Sequence, residues 1–95
     1  MPLKLQDLRK YAIDNRVEIA IGDPSGRRCA MNILGQVRIL DDDKDLRFDD
    51  VFAAADSFEM TVAGKPRRFT RDEMAQTIAD AFKQRGFAAA VKEDD

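Results

Sequence analysis

The first side chains to weigh for chemistry are acidic. Asp41, Asp43 and Asp45 alternate, and Asp49 follows four residues on. That spacing matches positions one, three, five and nine of a calcium-binding helix–loop–helix. The pattern then breaks. The sixth position, where a sharp turn calls for glycine, holds Leu46, and the twelfth, which needs a bidentate Glu, holds Phe52. The segment reads as a solvated acidic loop rather than a metal site.

Cys29 is the next candidate. A nucleophilic thiolate wants a positive, partly exposed setting and usually a base, and the chain has no His. Cys29 alternates with Met31 and Ile33 on the apolar side of an expected strand, so it reads as a buried structural thiol. One cysteine also excludes a disulfide framework and a multi-thiolate zinc site. Ser25 and Ser57 are the only serines, and neither has the Gly-x-Ser-x-Gly setting of an activated nucleophile. The 5 glycines fall at turns, strand ends or a helix end, which leaves no phosphate-cradling loop. No catalytic residue, cofactor or metal is expected, and the chain reads as a non-enzyme.

What remains is a set of arginines. Arg27-Arg28 and Arg67-Arg68 each follow an expected hairpin turn, and Arg38 and Arg71 add to them. Guanidinium groups suit phosphate, so nucleic-acid binding through Arg27, Arg28, Arg67 and Arg68 is one reading. Against it stand a sequence pI near 5.1 and the lack of spare aromatics for base stacking, since Phe58 and Phe69 are claimed by the core. Solvated arginines, paired with carboxylates of the Asp41–Asp50 segment, are favoured; a protein partner comes next and nucleic acid last.

These residues must be positioned by elements that the hydrophobic pattern reveals. Leu5, Leu8, Ala12 and Ile13 fall on one face of a helix over about 3–14, stopped by Asn15 in a left-handed conformation. Val17, Ile19 and Ile21 then alternate with Glu18, Ala20 and Gly22, the period of a strand. Asp23-Pro24-Ser25-Gly26 supplies turn chemistry for a three-residue loop with a bulge. That loop length pairs Ile21 with Cys29, Ile19 with Met31 and Val17 with Ile33, so every apolar residue shares one face. A four-residue loop would bury nothing coherent.

The same register sets Gly22 against Arg28, Ala20 against Ala30 and Glu18 against Asn32 on the opposite face. A centre of two alanines is unlike a solvated sheet face, and it lets another element come close. Cover by one of the chain's own helices is the favoured reading, and a partner's surface is the sharper one.

A third strand is expected over Gln36–Leu40, after a turn at Leu34-Gly35. A short helix over about 50–56 follows, with Asp49 as its cap. Phe58, Met60 and Val62 make a fourth strand, and a turn at Ala63–Pro66 leads to a fifth, pairing Met60 with Phe69 and Val62 with Arg67. The final helix announces its start twice: Thr70 and Glu73 form a capping box, and Phe69 with Met74 a hydrophobic staple. Met74, Ile78, Ala81 and Phe82 form its buried stripe. Gly86 ends it, with Phe87 folding back on Phe82.

The sum is an α+β fold with a mostly antiparallel sheet of about five strands, two main helices and a short middle helix, in the order α-β-β-β-(α)-β-β-α. At 95 residues the chain makes one domain over 1–95, with a frayed tail at 92–95. No leader or membrane-length apolar run is present, and a lone thiol suits a reducing compartment, so a cytoplasmic location is expected. Charge is segregated: residues 1–40 carry 7 basic and 4 acidic side chains, 41–60 carry 2 and 8, and 61–95 carry 7 and 6. The expected function is a non-catalytic protein-interaction or regulatory module, self-associating or binding another protein, with Ala20, Ala30 and the two arginine pairs as its contact residues.

Overall fold

The computed structural model describes residues 3–42 and 45–85. Along the chain come α1 (Leu5–Asn15), β1 (Ile19–Gly22), β2 (Arg28–Met31), β3 (Val37–Ile39), α2 (Phe48–Ala54), β4 (Ser57–Val62), β5 (Lys65–Phe69) and α3 (Arg71–Arg85). The five strands form one antiparallel sheet in the order β3-β2-β1-β4-β5. This is the expected α+β fold.

The first hairpin adopts the register that turn chemistry and parity demand, Ile19 opposite Met31 and Ile21 opposite Cys29. Gly26, at φ 92°, takes the left-handed position that its turn requires. The outer pair, Val17 with Ile33, does not form. Ile33 leaves the ladder to enter a second turn and is 47% exposed. The β1–β4 pairing joins the two hairpins, setting Ile19 against Met60 and Ile21 against Phe58. One row of inward side chains then crosses all five strands: Ile39, Cys29, Ile21, Phe58 and Phe69.

All three helices contribute to the core on that one face. Leu8 and Ala12 of α1, Val51 of α2, and Met74 and Ile78 of α3 are buried with Ile19, Ile21, Met31, Phe58 and Met60. Each fully buried aliphatic or aromatic side chain contributes roughly 1.5–3 kcal/mol, and this shared layer holds helices to sheet.

Several boundaries differ from the pattern-based expectation. In α1 the left-handed residue is Arg16 (φ 54°), not Asn15, which stays helical and donates from its side-chain amide to the Tyr11 carbonyl. α2 begins at Phe48, two residues early. Arg47 is its cap with no side-chain bond, and Asp49 lies in the first turn, where its charge suits the helix dipole. The β4–β5 register is shifted by two, pairing Phe58 with Phe69 and Met60 with Arg67. The cause is the turn, in which Ala63 (φ 54°) and Gly64 (φ 80°) alone connect the strands. Such a two-residue connection needs positive φ at both positions and leaves Pro66 inside edge strand β5.

α3 starts as expected. The Thr70 N–H donates to the Glu73 carboxylate (2.8 Å), and the Glu73 N–H donates to the Thr70 hydroxyl (3.1 Å). The closing elements assigned to Gly86 and Phe87, and the tail at 92–95, lie outside the described residues.

Candidate interaction surface

With the helices on one side, the other side of the sheet carries none among the described residues. Its central row, read across the strands, is Arg38, Ala30, Ala20, Glu59 and Arg68. Gly22, Arg28 and Ser57 form a neighbouring row. Among the described residues, no helix of the chain itself covers Ala20 and Ala30. Ala30 is only 7% exposed, yet it stands apart from the buried core, because it is a short side chain on the floor between longer ones.

Two concavities result. One, of about 460 Å³, has Ala30 at its base and Arg38, Glu18, Asn32 and Gln36 around it. The other, of about 130 Å³, lies over Ala20 and Gly22, with Arg28, Arg68, Glu59 and Ser57 around it. Each holds at least one guanidinium and one carboxylate, and neither contains a buried polar atom lacking a partner.

The six residues singled out from sequence divide cleanly. Ala20, Ala30, Arg28 and Arg68 lie on this face, and the last two border the same concavity. Arg27 and Arg67 do not join them. Adjacent residues in extended chain point to opposite sides, so neither arginine pair can act as a pair. Arg67 stands opposite Met60 on the helix side, its guanidinium 5.5 Å from the Phe69 ring. Arg27 donates to the Asp23 carboxylate from Nε (2.6 Å). Among the described residues, Asp23 pairs with Arg27 and Glu59 with Arg68 (3.8 Å). Asp41 instead accepts the Arg28 backbone N–H at 2.7 Å.

Asp23 is a buried charge that needs accounting. Burial disfavours its ionised form, but donors from Ser25 and Arg27 outweigh that and hold its carboxyl below the ordinary 3.8. It accepts the Ser25 N–H and hydroxyl and the Arg27 N–H, which makes it the internal brace of the first turn.

Arg71 is a second structural residue that the basic-cluster reading misplaced. Its Nε donates to the Ala55 carbonyl (3.0 Å), and its terminal nitrogen reaches the Phe52 and Ala53 carbonyls. The guanidinium also lies over the rings of Phe52 (5.1 Å) and Phe58 (5.6 Å). It thus caps the carboxyl end of α2, where the dipole favours a cation.

Cys29 is fully buried. Burial pushes its thiol up to about 12, with smaller contributions from the charges of Asp41 and Asp23. Such a thiol keeps its proton at neutrality and is a poor nucleophile. Among the described residues no three His, Cys, Asp or Glu side chains are placed to hold a metal ion, and no helix is long and apolar enough to cross a membrane. Compared with known proteins, the chain matches no family model, no curated protein and no solved structure.

Proposed function

We propose that this chain is a non-catalytic protein-interaction module that engages its partner through the outer face of the sheet. The observation that carries this reading is that face itself, which has Ala20 and Ala30 at its centre, charged side chains at its margins and no helix among the described residues upon it. Small central residues let a partner's backbone come close, and charged margins give register and orientation. Among the described residues, Asp23 and Cys29, whose protonation is displaced, serve the first turn and the core. A protonated, buried thiol suits the reducing cytoplasm, where we place the module.

A photo-crosslinking amino acid at Ala20, with Asp72 on exposed α3 as the control position, tests this reading in extract of the native host. A discrete protein adduct from position 20 and not from 72 supports it. Equal labelling at both positions, or none at 20, refutes it.

A further inference from the structure

We infer that the outer sheet face pairs with the same face of a second copy about a twofold axis between β1 and β2. This rests on the proposed use of that face and names its occupant. The argument is one of register. In the row Arg38, Ala30, Ala20, Glu59, Arg68, a twofold axis parallel to the strands and midway between Ala30 and Ala20 exchanges those two alanines. The same operation carries Arg38 onto Glu59 of the other copy, and Glu59 onto the other Arg38. An isologous interface requires that kind of reciprocity: whatever residue i meets, it must itself be met by.

In the neighbouring row the axis sets Arg28 over Gly22 of the copy, a position with no side chain of its own, although Arg28 of each copy then stands beside the other across the axis. Placing the axis on β1 instead would set Arg38 against Arg68, a like-charge contact, whereas the β1–β2 position pairs Arg38 with Glu59 twice over. Arg38 makes no ion pair among the described residues. Glu59 has only a long contact of 3.8 Å with Arg68, and its second oxygen remains available to another guanidinium. The concavities receive these groups: Glu59 of the copy enters the one walled by Arg38, and Arg38 of the copy enters the one walled by Glu59.

Face-to-face sheets keep their strands within about 30° of alignment, which an axis along the strands permits. Four strands overlap, roughly 19 Å across and about 10–13 Å along, since β1 and β2 have 4 residues each and β3 has 3. That footprint is smaller than the ~800 Å² per partner of a standard stable interface. The pairing is therefore a concentration-dependent equilibrium, fastened by charge and sensitive to salt.

Sedimentation velocity across micromolar to millimolar concentration tests it, with circular dichroism to verify folding of each variant. The wild-type chain forms a dimer that weakens as salt rises. Arg38→Glu and Glu59→Arg each weaken association roughly tenfold or more, because each sets like charges together. The double variant Arg38→Glu/Glu59→Arg recovers it to within about threefold, since the exchange restores reciprocity with reversed sign. A chain that stays monomeric up to millimolar concentration overturns the inference, and so does a dimer indifferent to both single changes. If the chain is monomeric while Ala20 crosslinks a different protein, the second copy is refuted and the interaction reading stands.

Discussion

Asp23 and Asn32 occupy equivalent places in consecutive turns. Oδ1 of Asp23 accepts the N–H groups of Ser25 and Arg27, two and four residues on (3.1 and 2.9 Å). Oδ1 of Asn32 does the same for Leu34 and Gln36 (both 2.9 Å). Each turn places a left-handed glycine, Gly26 or Gly35, three residues after the bracing side chain. The two differ in burial and charge: Asp23 is buried, whereas the bonds made by Asn32 are exposed. An exposed neutral bond of this kind contributes about 1 kcal/mol. Asn32→Ala should lower Tm by roughly 4–8 °C, as expected for a domain of this length. Asp23→Ala should lower it further, since it leaves the Arg27 guanidinium and two N–H groups without their acceptor. Thermal unfolding of the two variants side by side checks this, and a larger loss for Asn32→Ala would contradict the assignment.

The same carboxylate sets a pH dependence. Its pKa is lower in the folded chain than the 3.8 of the unfolded one, so the folded state binds this proton more weakly. The stabilisation is therefore complete above the unfolded value and disappears as pH falls through the lowered folded value. Urea unfolding between about pH 5 and pH 2 should show the wild type losing stability faster than Asp23→Asn, which has no such proton to take up. Parallel curves for the two would remove Asp23 from the acid response.

Cys29 offers a third measurement. Because its thiol is buried and keeps its proton to about 12, an aromatic disulfide reagent at neutral pH should modify it only as fast as the chain unfolds. The rate should rise to that of a free thiol in denaturing urea. Cys29→Ser should cost about 1–3 kcal/mol, since a hydroxyl among Ile21, Ile39 and Met31 has no evident acceptor. Rapid labelling in native buffer would mean the core on this side is open.

Arg71 ties two elements that are separated in sequence. Arg71→Ala should destabilise the chain by about 2 kcal/mol, with Arg71→Lys intermediate because a single ammonium cannot reproduce the guanidinium fork. Amide exchange localises the effect: protection should fall across Phe48–Ala55 while α3 keeps its own. Uniform loss across both helices would argue that Arg71 acts through general packing instead.

How far the sequence reveals this architecture depends on how many independent constraints bear on each element. At the first hairpin, turn chemistry and apolar parity agree, and the register follows. At β4–β5, parity cannot separate two registers that differ by two residues, since both bury the same face, and only Ala63 in a left-handed conformation decides between them. The second turn, expected at Leu34-Gly35, also carries the Asp/Asn-x-x-Gly spacing that Asp23–Gly26 shares with Asn32–Gly35, which places its start at Asn32. The outer face was half legible. Alternation places Ala20, Ala30 and Arg28 there, whereas the strand turns the members of Arg27-Arg28 and of Arg67-Arg68 to opposite sides, which adjacency in sequence does not reveal. Arg71 was out of reach, because its partners are backbone carbonyls on a distant helix end.

The two turn glycines make a matched pair for a last prediction. Gly26 (φ 92°) and Gly35 (φ 79°) both hold a conformation that side chains resist, so alanine at either costs about 1–2 kcal/mol in backbone strain alone. Their surroundings differ. A Cβ on Gly26 meets nothing within 4 Å, whereas one on Gly35 falls 2.7 Å from Cγ of Arg9 and 2.9 Å from Cδ1 of Ile13. The Ile13 methyl could swing aside, but Cγ of Arg9 lies near the root of its side chain, which is held by the bond from Nε to the Gly35 carbonyl (3.0 Å). Helix α1 must shift or that bond must break. Gly35→Ala should therefore be the more damaging by at least about 1 kcal/mol, and Arg9→Ala should recover part of the difference by vacating the space. Equal losses from Gly26→Ala and Gly35→Ala in chemical unfolding would show that α1 does not seat on the second turn.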